Sequence, residues 1–203
     1  MLPLFATCQE IDPKTIETVI HEEEITVVDY KYVDAFTKKE YSIITVPSLE
    51  KYVGQYFKFL EKYNLDIEPI DRLACVVTSK NYDKLTENEK SVGITFKAID
   101  SLGIGSSIFF REDYVEELSR VNDSTILRFV VFHEMTHAIT NNRLPHCSDY
   151  VNCSTFFFKE INPDVYHRIT TYSEMEEYKL ASMIRLFQRF PPQNNYLGIK
   201  EEE

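Results

Sequence analysis

The stretch Ile126-Leu-Arg-Phe-Val-Val-Phe-His-Glu-Met-Thr-His-Ala-Ile139 constrains this chain more than any other. Its apolar residues recur nearly all round a helical circumference. Ile126, Phe129 and Val130 fall on one side, and Phe132, Met135 and Ile139 fall opposite. A helix of that kind is stable only inside a core, so the rest of the chain must fold around it. Asn122-Asp123-Ser124 supplies N-cap candidates, and neither Gly nor Pro interrupts the run before Pro145.

This buried helix carries polar groups that need partners. His133-Glu134-Met135-Thr136-His137 reads H-E-x-x-H. At about 100° per residue, His137 lies about 40° round from His133, so both imidazoles reach one metal ion from a single face. Glu134, about 100° round, is too far displaced to join them easily and close enough to take a proton from water at the metal. Two neutral imidazoles, an open position and a general base are the parts of a zinc hydrolase site. The plain alternative is a core helix with two hydrogen-bonded histidines.

The segment resembles the active-site helix of the zincin metallopeptidases, a superfamily defined by H-E-x-x-H on a helix. The resemblance implies that His133 and His137 bind Zn2+, that Glu134 activates water, and that the protein is a zinc-dependent endopeptidase. It covers five residues strictly and about the last hundred loosely. The subgroups differ in the third ligand. The metzincin pattern wants Gly three residues after the second His and His six after it, where this chain has Thr140 and Arg143. The gluzincin pattern takes a Glu from a later helix, which the segment from Ser173 to Phe187 resembles.

Helical phase ranks the glutamates there. With Leu180 at 0°, Met183, Ile184, Phe187 and Phe190 centre an apolar face near 330–340°, at about 100° per residue. Glu176 falls at about 320°, Glu177 at about 60° and Glu174 near 120°. A carboxylate on a buried face must be paired or metal-bound, so Glu176 is the expected ligand. Ser173-x-x-Glu176 also reads as a capping box, as does Thr171-x-x-Glu174. Glu177, Glu174, His146, Asp149 and His167 remain alternatives. Tyr172 is a candidate catalytic donor, because many zincins use a Tyr or His to stabilise the tetrahedral intermediate.

The preceding residues read as mixed α and β. Runs at Glu24–Val33 and Tyr41–Val46 predict a hairpin about a turn at Asp34–Glu40. Pro47-Ser48 opens a helical pattern through Leu49, Tyr52, Val53, Tyr56, Phe57 and Leu60, ending before Asn64. Leu73–Thr78 predicts a buried strand, Ser91–Ile99 and Gly103–Phe110 two more, and Arg111–Arg120 a short amphipathic helix. The zincin resemblance implies an edge strand beside the cleft, and Ser106–Phe110 is the candidate. Together these predict one α+β, zincin-like domain over residues 1–203. Its sheet is expected to be mixed and mostly antiparallel, packed on the active-site helix, with a C-terminal helical part supplying the third ligand. Residues 1–100 form the scaffold, 101–190 the catalytic portion and 191–203 a loose tail.

Composition narrows the partners. A net charge of −11 argues against nucleic acid. No run of 18 apolar residues predicts a membrane span. The opening residues lack the basic region of a signal peptide, and the four cysteines form no C-x-x-C pair. Cys147 and Cys153 read first as free thiols, with a disulfide or, beside His146, a second metal site as the alternatives. A cytoplasmic enzyme acting on a peptide or protein is the expectation. The rival is a non-catalytic zincin-fold module that binds proteins and keeps zinc as a staple.

Overall fold

The computed structural model describes Thr18, residues 21–85, 92–96, 105–120 and 124–140, and then Glu177, Tyr178, Leu180, Ala181 and Ile184. The hairpin forms as the sequence predicts. Strand β1 (Val28–Val33) pairs antiparallel with β2 (Glu40–Thr45). Its turn is organised by Asp34, whose carboxylate accepts the amides of Phe36 at 2.7 Å and Thr37 at 2.6 Å. Lys38 takes the left-handed backbone conformation that closes it, at φ 61°.

Helix α1 (Pro47–Lys62) follows, with Pro at its first position, where the missing N–H costs nothing. Its apolar stripe packs on the inner face of the hairpin, with Phe57 stacked on Tyr32 at 4.1 Å between ring centroids. The helix stops because Asn64 adopts φ 50° and the Leu65 amide bonds back to the Leu60 carbonyl. Asn is one of the few residues that tolerates this helix-ending conformation. A 3-10 turn (Glu68–Arg72) then leads into β3 (Leu73–Ser79), buried along both faces save at Ala74.

The sheet is completed by β4 (Gly93–Phe96) and β5 (Ser106–Arg111) in the order β1-β2-β3-β5-β4. β2 with β3 and β3 with β5 are parallel, while β1 with β2 and β4 with β5 are antiparallel. The α+β class stands. The expectation of a mostly antiparallel sheet does not, because the two kinds of pair are equal in number. The reason lies in α1, a 16-residue crossover that returns β3 in the same direction as β2.

A second correction concerns the edge. β5 lies between β3 and β4, so Ser106–Phe110 is an internal strand, and β4 takes the edge. Strand order departs from chain order here, which no local pattern reveals.

Helix α2 (Glu112–Arg120) buries Val115 and Leu118, as its pattern predicts. Helix α3 (Ser124–Ile139) crosses β4, β5 and β3 and lies beside α1 and α2. Its burial is near complete from Leu127 onward, whereas Ile126 at its start is exposed. Tyr178, Leu180, Ala181 and Ile184, from a helical segment near the C-terminus, are buried too. Among the described residues no helix is long and apolar enough to cross a membrane.

Candidate metal centre

Helix α3 brings the two histidines of the motif together. The Nε2 atoms of His133 and His137 are 2.9 Å apart, with ring planes at 84°. His137 is fully buried and His133 is partly exposed, so the pair spans from the core to the surface. At this distance one Nε2 donates and the other accepts, and a cation would take the place of the shared proton.

Two imidazole nitrogens are two of the four donors that zinc takes. Two imidazole nitrogens at about 2.0–2.1 Å in a tetrahedral site would stand about 3.3 Å apart, a few tenths of an ångström from the spacing found. Small side-chain rotations bridge that gap.

The helix is held in rotation from both sides. On the α1 side, the Thr136 hydroxyl donates to the Phe132 carbonyl at 2.7 Å and lies 2.9 Å from the Tyr56 hydroxyl. Because Thr136 has spent its proton, Tyr56 is the donor of that second bond. Tyr56 is fully buried, and burial holds its phenol well above the ordinary range. Beyond the motif, the Thr140 hydroxyl bonds to the Thr136 carbonyl at 2.7 Å, so Thr140 finishes its own helix. Arg143, the other residue at odds with the metzincin pattern, lies outside the described residues.

On the β4 side stands Glu134, only 2% exposed. The Thr95 hydroxyl lies 2.7 Å from its Oε2 and 3.1 Å from its carbonyl oxygen. Burial pushes the Glu134 carboxyl up to about 8, against a smaller lowering by the Thr95 bond. The Thr95 hydroxyl thus reaches both the side-chain carboxyl and the main-chain carbonyl of Glu134 from one position on β4. Thr95 carried no signal in the sequence beyond its place in a β-rich run.

Glu177, an alternative third ligand, is engaged elsewhere. Its carboxylate meets Lys62 at 2.7 Å and Arg128 at 3.2 Å, tying its helical segment to α1 and α3. Arg128 lies about 140–180° round α3 from the histidines at about 100° per residue, so Glu177 serves the opposite side. Among the described residues no three His, Cys, Asp or Glu side chains are grouped to hold one ion. The expected ligand Glu176, its alternatives Glu174, His146, Asp149 and His167, and the candidate donor Tyr172 lie outside the described residues, as do Cys147 and Cys153.

No protein-family model, curated protein or solved structure matches the chain, so a functional reading rests on the motif and its geometry.

Proposed function

We propose that this protein is a zinc-dependent metallopeptidase of the zincin type, with His133 and His137 as zinc ligands and Glu134 as general base. The observation that carries the reading is the approach of the two Nε2 atoms to 2.9 Å on one face of a helix whose next residue is a buried carboxyl. Zinc, when bound, supplies a Lewis acid that polarises the scissile carbonyl and makes water acidic enough to react near neutral pH. Glu134 takes the proton from the attacking water and passes it to the leaving amine. Glu176 is proposed as third ligand and Tyr172 as a donor to the oxyanion, both on the gluzincin resemblance. The substrate is an extended peptide paired with β4, the edge strand among the described residues, with main-chain hydrogen bonds supplying affinity.

One observation favours a non-catalytic reading, in which the metal is a staple for a protein-binding module. Glu134 is almost wholly withdrawn from water and already has a partner in Thr95. The two readings part on metal content and peptide cleavage, measured for wild type, Glu134→Gln and Glu176→Gln. The peptidase reading expects one zinc and cleavage from wild type, zinc without cleavage from Glu134→Gln, and zinc loss from Glu176→Gln. Zinc in all three with no cleavage favours the staple, and wild type that takes up no zinc ends both.

A further inference from the structure

A general base on a helix has three side-chain torsions to settle before its carboxylate is useful, and the helix backbone narrows only the first of them. The strand opposite does more. Gly93 and Thr95 are two apart on β4, so they share one face, and both meet Glu134. At Gly93 the fit is close. A Cβ there would stand 3.0 Å from the Glu134 Cγ and 2.8 Å from the ring of Phe110, its cross-strand partner. At Thr95 the hydroxyl reaches Oε2 at 2.7 Å. The glycine leaves a notch for the stem of the side chain, and the threonine is a post at its end.

We infer that Gly93 and Thr95 are positioning residues for the Glu134 carboxylate: the notch sets the path of the stem, and the hydroxyl sets the orientation of the carboxyl plane. Neither residue touches substrate in this account, and both act through Glu134. The inference rests on the peptidase reading and adds to it the element that aims the base. It also gives the edge strand two duties, since the strand proposed to pair with substrate through its main chain holds the base through its side chains. Misplacement of a reacting group by about 1 Å costs on the order of a hundredfold in rate, so a base without its post is a poor one.

The test uses the zinc-loaded full chain with Thr95→Val, Thr95→Ser and Gly93→Ala, assayed on a peptide that wild type cleaves. Thr95→Val keeps the shape and loses the hydroxyl. It is expected to retain one zinc and an unchanged KM while kcat falls about tenfold to a hundredfold. Thr95→Ser restores kcat to within about threefold, because a hydroxyl is all that is asked of the site. Gly93→Ala lowers kcat with zinc retained. A Thr95→Val enzyme with wild-type kcat overturns the inference, as does a Thr95→Ser enzyme no better than Thr95→Val, which would assign the effect to packing.

A second readout is independent of turnover. In zinc-free protein the losses of Tm in Thr95→Val and Glu134→Ala should fall short of adding in the double variant, because both remove one contact. Strict additivity overturns the inference as well. Wild type that holds zinc but cleaves nothing, with non-additive Tm losses, sinks the peptidase reading while leaving the contact in place.

Discussion

Glu134 and Glu177 are both withdrawn from water, at 2% and 9% exposure, and both touch the surroundings of helix α3. Their company differs. Glu177 has two cations within ion-pairing distance, Lys62 and Arg128, each on a different helix. Glu134 has a hydroxyl, and among the described residues no Lys or Arg pairs with it. A buried carboxylate with two cations is neutralised and serves to join elements. A buried carboxyl with only a hydroxyl is raised in pKa and stays able to exchange its proton. Burial alone therefore does not mark a functional acid. The charge of its neighbours does.

The strongest way to break this contrast is to remove the charge-handling group on each side. Glu134→Gln should lower kcat by about a hundredfold to ten-thousandfold while zinc content by metal analysis stays at the wild-type level. His137→Ala should lose zinc and all zinc-dependent turnover, since it removes one of only two described donors. Glu177→Gln, on the other side, should leave kcat and zinc as they are.

Acid–base behaviour of the metal-free protein sharpens the contrast next. The Glu134 pKa is raised from 4.5 to about 8, so the folded state holds a proton that the unfolded state releases between those values. Stability then declines as pH rises from about 4.5 and levels off once pH passes about 8. Urea unfolding of the chelated wild type should show that decline, and Glu134→Gln should lack it. A wild type whose stability is flat over that window would place Glu134 with the neutralised carboxylates.

Smaller effects test the joining role. Glu177→Ala leaves Arg128 partly buried without its carboxylate and should cost about 1–3 kcal/mol in chemical unfolding, less than a fully buried pair because Lys62 is half exposed. Tyr56→Phe removes only the donor to Thr136 and should cost about 0.5–1.5 kcal/mol. Both variants should keep their zinc.

Much of the fold is legible locally. The hairpin, α1 with its end before Asn64, β3 as a buried strand and α2 with Val115 and Leu118 inward all follow from period and punctuation. What misled was the order of strands. The zincin resemblance put Ser106–Phe110 at the edge of a mostly antiparallel sheet, whereas a helical crossover made β3 parallel and β4 lies outside β5. The phase argument placed Glu177 on the flank of its helix; the structure buries it along with Tyr178, Leu180, Ala181 and Ile184 and makes it a bridge to α1 and α3. Its partner Lys62 is 115 residues away, so no window along the chain reveals the pairing.

The sequence by itself determined the convergence of His133 and His137. A four-residue offset on a helix puts both imidazoles on one face within reach of each other, and the apolar circumference of α3 draws the helix into the core. Only the tertiary structure decided what stands opposite the glutamate of the motif. Thr95 meets Glu134 across 39 residues of chain because β4 passes over α3 at the edge of the sheet. Spacing within one helix is set by backbone geometry, which every such sequence shares. Contact between distant elements is set by how a whole core packs, and there the chemistry of each buried carboxyl is decided.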